Sequence, residues 1–268
     1  MAFDSLESSH SWAARTYPEV LETAESAGSI LIVPVGSIEQ HGHHLPVATD
    51  TLLVDAVANL GADRVEGDVP ILVTPPVWSG YSPHHLSFGG TITTTFEGLL
   101  GLLESVADSA LENGFDAILL LNGHGGNIAL VNGAVSTIGV AHPETEVLGL
   151  TYFQLAGSFI DDIRESDLGG MAHGGEFETS LMQYLYPDLV HEDRFEATSW
   201  ETEYDHGPSD MFAGGPLASY RGFDEYSECG AIGAPELASA EKGEVIAELL
   251  GDELETILRA VHEYTRGE

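Results

Sequence analysis

Glu39, His41 and Asp50, with His43 and His44 beside them, follow directly on the apolar run 30–35 in the stretch ILIVPVGSIEQHGHHLPVATD. Imidazole and carboxylate groups gathered where an apolar segment ends are the donors that Zn²⁺, Mn²⁺ or Fe²⁺ take, and a bridging carboxylate allows two ions roughly 3.5 Å apart. Glu39 and His41 are two residues apart, so in an extended segment they share a face. Two more clusters have the same character. Asn122-Gly-His124-Gly-Gly-Asn127 follows the apolar run 117–121, and His173-Gly-Gly-Glu176-Phe-Glu178-Thr-Ser opens another segment. Gly123, Gly125 and Gly126 suit either a tight turn or a phosphate-cradling loop, and the lack of a nearby Lys or Arg weighs against phosphate. Each cluster alone is equally compatible with hydrogen-bonded loop histidines.

The elements needed to position these residues are readable from periodicity. Residues 30–35, 69–74, 117–121 and 146–152 are short apolar or β-branched runs and predict strands. Helices are expected over 17–27, over 51–60 with Thr49 or Asp50 as cap, over 95–113 and over 128–140. Strands alternating with helices at this spacing predict an α/β fold around a mostly parallel sheet, in which ligands bind beyond the carboxyl ends of the strands. Residues 75–90, PPVWSGYSPHHLSFGG, read as a long ordered loop. Beyond them come a helix over 177–186, with Glu176 and Glu178 near its start, and an irregular, acidic excursion over 187–234 around the mouth of the sheet. A last helix is expected over 235–264, with a break at Lys242-Gly243. Neither an internal repeat nor a low-complexity linker interrupts the chain, so 1–268 is read as one domain.

Asp and Glu number 44 against 8 Lys and Arg, for a formal net charge of -36, and Lys242 is the only lysine. The acids are spread over helix faces and loops, as on the solvated surface of a protein from a halophile, where molar salt screens repulsion to roughly 3 Å. Duplex nucleic acid and anionic membranes are excluded as partners by the lack of basic patches. A lone Cys229 rules out an internal disulfide and fits a reducing cytoplasm. Neither a membrane-spanning apolar stretch nor a secretory signal is expected from the sequence.

The motifs PVGSIEQHGHHLPVATDT, GYSPHHLSFGGTIT, LLLNGHGGN, HGGEFETS and GAIGAPELASAEKG, in this order, resemble the creatininase (creatinine amidohydrolase) family over nearly the whole chain. The resemblance implies a layered α/β fold, a homo-oligomer with a hexamer favoured, two divalent ions (Zn, Mn or Fe), and hydrolysis of a small-molecule amide at a non-peptide C–N bond. It implies Glu39, His41, Asp50 and His124 as metal ligands, with Asp50 bridging. Creatininase has a glutamate where this chain has Gly126 and an apolar residue where it has Glu176, so Glu176 is expected as the fifth ligand and Glu178 as second choice or as proton acceptor. His173 matches a histidine that serves the leaving group. His43, His44, Trp78, Tyr81 and His85 are expected to border the substrate, as is His84, whereas His10, His142, His191, His206 and His262 read as surface or structural.

Two readings of the substrate remain open beside the general one. The NGHGGN turn is similar to that of the archaeal deformylase that removes formate from a formylamino-pyrimidine ribonucleotide, whose phosphate would want Arg164 or Arg221. A peptide-trimming member acts in mycofactocin maturation. The creatinine reading is weakened by Gly169, where creatininase carries a tryptophan. From another class, a non-catalytic metal or metabolite binder on the same fold would not need His173.

Overall fold

Strands β1 (Ile30–Val35) and β3 (Ala117–Asn122) lie side by side in the middle of the computed structural model, which describes residues 8–199 and 204–267. With β2 (Ile71–Val73) and β4 (Glu146–Thr151) they form a four-stranded sheet in the order β2-β1-β3-β4, every pair parallel. Both central strands are buried along their whole length because helices cover the two faces, which is why their sequences are continuously apolar rather than alternating.

Parity along β1 decides which core each side chain joins. Ile30 and Ile32 pack with α2 (Thr49–Arg64), α6 (Glu176–Leu185) and α7 (Ala240–Thr265), and Tyr152 and Phe153 of the short α5 (Tyr152–Leu155) join them. Leu31, Val33 and Val35 pack with α1 (Tyr17–Ala24), α3 (Phe96–Leu111) and α4 (Ile128–Ala141). The result is a three-layer α/β domain. In the register of β1 on β3, Val35 stands opposite Asn122, so the loops carrying the first two clusters leave the sheet at one level and on one edge.

Helix boundaries depart from the sequence reading in two informative places. Helix α2 starts at Thr49, so Asp50 lies inside its first turn rather than capping it, and the N-cap Ala48 makes no side-chain cap. The expected break at Lys242-Gly243 is absent: α7 runs unbroken from Ala240, with the Ser239 hydroxyl accepting the Lys242 N–H. Gly243 serves close packing instead, since a Cβ there would stand 2.0 Å from the Ser180 carbonyl oxygen of α6. The buried stripe Ile246, Ala247, Leu250, Leu254, Leu258 and Val261 anchors α7, and truncating one of its leucines to Ala would cost about 2–5 kcal/mol.

The excursion over 187–234 is irregular as expected, holding only short 3-10 turns among the described residues, with 200–203 outside them. Among the described residues no helix is long and apolar enough to cross a membrane.

Candidate metal centre

At the carboxyl edge of β1 and β3 the three clusters meet. Glu39, His41, Asp50, His124 and Glu178 are all buried, none more than 4 % exposed. Asp50 comes from the first turn of α2 and faces two imidazoles at once: Oδ1 lies 3.2 Å from His41 Nε2, and Oδ2 lies 3.2 Å from His124 Nδ1. Glu39 Oε2 is 3.2 Å from His124 Nε2, and Glu178 Oε1 is 3.9 Å from His41 Nε2.

Backbone and loop contacts hold these groups. His41 Nδ1–H donates to the Glu39 carbonyl at 3.1 Å, which leaves its Nε2 lone pair directed at the carboxylates. Asn122 accepts the His124 N–H and donates to its carbonyl at 2.8 Å, so the strand-ending asparagine clamps the turn. Asn127 joins three loops, accepting from Tyr81 N–H at 2.9 Å and donating to the Gly36 carbonyl at 3.1 Å. The Gly174 N–H donates to Glu178 Oε2 at 2.7 Å, and His44, buried, donates from Nε2 to the Gly174 carbonyl at 3.0 Å.

The donor set fits a divalent cation on its own chemistry. His41 Nε2 and Asp50 Oδ2 are buried without any hydrogen-bond partner, a costly state for polar atoms in a protein interior. Ions of this type bind at about 2.0–2.2 Å, which sets two donors of one ion about 3.0–3.5 Å apart; the His41–Asp50 and His124–Asp50 separations fall there. Glu39, His41 and Asp50 offer donor atoms within 4.8 Å of one another, as do His41, His173 and Glu178.

The electrostatics point the same way. Burial opposes charge on both imidazoles, yet His41 is driven well above its ordinary range by Asp50 and Glu178, and His124 is raised to about 10 by Glu39 and Asp50. Burial likewise opposes the Glu39 and Asp50 carboxylates, but His124 and His41 hold them below theirs. The centre favours positive charge.

Glu176 does not reach this centre, contrary to the sequence expectation. Its carboxylate accepts the Glu165 and Ser166 N–H groups at 3.0 Å each and the Lys242 ammonium at 2.6 Å. Residues two apart on a helix point about 200° apart, so α6 can aim only one of Glu176 and Glu178 at the cluster, and it aims Glu178. Lys242 therefore pairs with Glu176 and with Glu165 at 3.0 Å, not with an acid of its own helix.

The expected substrate contacts divide. His85 is in the site, with Nε2 3.3 Å from Glu39 Oε1, and His173 presents Nδ1 3.7 Å from the same oxygen. His43 is not: it is exposed and pairs with Glu196. His44 supports the Gly174 turn instead of lining a pocket. Trp78 is half exposed. The Tyr81 ring packs edge-on against Phe96, and only its carbonyl reaches His124 Nε2, at 3.2 Å.

Phe223, Gln40 and Ser82, whose hydroxyl lies 3.1 Å from His124 Nε2, also belong to the site and are not among the sequence expectations. Phe223 comes from the acidic excursion and stacks on His85 with ring centroids 4.2 Å apart, its edge against His173. Nothing local in the sequence marks it. Gln40, inside the EQH motif, was the readable signal.

The fold and this cluster define an α/β protein with a buried histidine and carboxylate centre able to hold a divalent cation, and comparison with known proteins narrows the class. The family model described as creatinine amidohydrolase matches residues 13–258, so the chain belongs to the creatininase family of amidohydrolases. It is 34% identical over 235 residues to a mycofactocin precursor peptide peptidase of Mycobacterium ulcerans, covering 85% of this chain and 84% of that one. It is 32% identical over 256 residues to a creatinine amidohydrolase of Pseudomonas putida, covering 87% and 90%. A 3-dehydro-scyllo-inosose hydrolase of Thermotoga maritima is 28% identical over 254 residues, covering 87% and 78%. Among solved structures, a creatininase variant of Zn-Zn type superposes with a TM-score of 0.79 at 28% identity, covering 97% of this chain and 99% of that one. A manganese creatininase gives 0.78 at 27%, covering 96% and 99%.

Proposed function

We propose that this hydrolase cleaves the C–N bond of a small amide, and that His41, Glu178, Glu39, His124 and Asp50 would hold the divalent cations it uses. The observation that carries the reading is the pair of partnerless buried atoms, His41 Nε2 and Asp50 Oδ2, where three buried carboxylates converge. Divalent cations bound there would lower the pKa of a water and polarise the amide carbonyl as Lewis acids.

His173 handles the protons. Its Nε2–H donates to the Gln40 carbonyl at 2.6 Å, which leaves the Nδ1 lone pair on the cluster side. Burial and the nearby His41 keep the imidazole below its usual pKa and so neutral, able to take a proton at Nδ1. The same atom then returns that proton to the departing nitrogen, which would otherwise leave as a poor amide anion.

Enclosure supports a small substrate over a polypeptide. Glu39, His41, Asp50, His124 and Glu178 are almost wholly buried, and Phe223 packs on the rings of His85 and His173, the latter with 15% of its side chain exposed. The narrower reading is a formamide of a phosphorylated pyrimidine nucleotide. Against it, Arg164, one of the two arginines expected to meet a phosphate, is paired at 2.8 Å with the buried Asp210.

The test is hydrolysis by zinc-, manganese- or iron-loaded protein of creatinine, a formamide and a short peptide, in low and molar salt. Turnover of a small amide, with His173→Asn retaining metal but losing about 10²–10⁴ in kcat, is the expected outcome. Metal binding with no turnover of any of the three would leave a metal-binding protein in place of the enzyme.

A further inference from the structure

Gln40 lies between two of the proposed metal-ligand positions, buried at 6 % exposure, and its amide touches His85 and His173, the two histidines that face Glu39 Oε1. Its orientation follows from its neighbours. The Gly42 N–H, which can only donate, lies 2.9 Å from Oε1, and the Gly230 carbonyl, which can only accept, lies 2.8 Å from Nε2. A flipped amide would set oxygen against oxygen and N–H against N–H. The NH₂ group therefore spends one hydrogen on Gly230 and the other on His85 Nδ1, also at 2.8 Å.

That accounting reaches the histidines. His85 Nδ1 accepts, so its ring proton sits on Nε2, aimed at Glu39 Oε1 3.3 Å away. His173 Nε2 donates to the main-chain carbonyl of the same Gln40, so its free lone pair is on Nδ1. The 3.3 Å approach of Gln40 Nε2 to His173 Nε2 joins two nitrogens whose hydrogens are committed elsewhere.

The excursion is shaped around this amide. Gly230 has φ 89°, and a Cβ on it would stand 2.0 Å from Gln40 Oε1. Ser227 Oγ accepts the Gly230 N–H at 3.0 Å and donates to the Ala231 carbonyl at 2.7 Å. A segment remote in sequence thus holds one end of the hub.

We propose that Gln40 is a positioning residue that sets the proton-bearing nitrogen of both His85 and His173, making His85 a hydrogen-bond donor to Glu39 and His173 an acceptor towards the substrate. The donor role also keeps His85 from acting as a ligand. Glu39, His85 and His173 offer donor atoms within 4.8 Å of one another, and a His85 with its proton on Nδ1 would turn that trio into a competing cation position. This inference rests on the amide-hydrolysis reading only for its effect on turnover.

The test is ¹⁵N-detected ring tautomer spectroscopy of histidine-labelled, zinc-loaded protein, with Gln40→Glu and Gln40→Met as variants. In the wild type His85 and His173 are both protonated at Nε2. Gln40→Glu, whose carboxylate accepts, moves the His85 proton to Nδ1; Gln40→Met, which neither donates nor accepts strongly, gives mixed tautomers at His85, while His173 keeps its proton on Nε2 in both because the main-chain carbonyl of residue 40 is retained. Both lower kcat by about 10–100-fold with KM little changed, and Gln40→Glu binds additional zinc. Protonation of wild-type His85 or His173 at Nδ1, which needs no variant to observe, would overturn the inference, as would folded variants with an unchanged His85 tautomer. A wild type that hydrolyses no amide would instead remove the functional reading and leave the tautomer result standing.

Discussion

Glu176 and Glu178 are two buried carboxylates on one turn of α6, and they are held in opposite ways. Glu176 is saturated, with two backbone N–H groups and the Lys242 ammonium on its oxygens. Glu178 has one N–H on Oε2 and turns Oε1 towards the partnerless His41 Nε2. A carboxylate with both oxygens hydrogen-bonded by its own chain is a structural tie, joining the 165–166 loop, α6 and α7. One left under-satisfied beside an imidazole lone pair is arranged for something the chain does not itself supply. Sequence proximity is no guide to which is which, because a two-residue step on a helix reverses the facing.

The largest effect should separate the two carboxylates. Glu178→Gln is expected to lower bound metal and turnover by at least about two orders of magnitude, since even residues that merely orient ligands cost 10–100-fold. Glu176→Gln should leave metal content intact. Elemental analysis of the two variants side by side checks this, and equal metal loss would erase the distinction.

Stability should show the reverse order. Glu176→Ala strips Lys242 of its buried partner, and breaking such a pair costs about 3–5 kcal/mol; the smaller figure is expected, because the ammonium keeps Glu165 and the Leu237 carbonyl. Glu178→Ala, removing a carboxylate from a crowd of carboxylates, should cost less in chelator-treated protein. Denaturant titration decides between them.

Acid should discriminate next. His44, which braces the turn donating to Glu178, is lowered by burial to about 4 from 6.5. A histidine depressed in the folded state contributes stability above the unfolded pKa and loses it as pH falls, here from about 6.5 to 4. In the tie, Glu176 is held below 4.5 and Lys242 above 10.5 by their mutual contact, working against burial. Its contribution is therefore flat between those limits, fading below 4.5 and above 10.5. Melting of chelator-treated protein against pH should fall across 6.5 to 4 and lose part of that slope in His44→Asn.

Salt should have the smallest and most diffuse effect. Raising it from about 0.1 M to 1 M shortens the screening length from ~10 Å to ~3 Å, which relieves repulsion among 44 acids. The exposed Arg64 pairs with Glu248 and Asp252 lose at most about 1 kcal/mol, and the buried tie is little affected. The melting temperature should rise with salt; a fall would mean that surface pairing outweighs repulsion.

Much of this was readable from the chain alone. The apolar runs ending at Val35 and Leu121 read as buried strands from their length and continuous apolar character, the helices between them from a period of 3.6, and the parallel sheet from their alternation. The placing of Glu39, His41 and His124 beyond strand ends follows from the same reading. What the sequence could not decide depends on which faces meet in space: Glu178 over Glu176, Lys242 across to α6 rather than along α7, Gly243 as a packing contact and not a break, and the return of Phe223 and Gly230 over the site. Those outcomes depend on contacts between residues as far apart as 190 positions, such as Gln40 with Gly230. No local pattern records them, because only the packed core brings such residues within hydrogen-bonding reach.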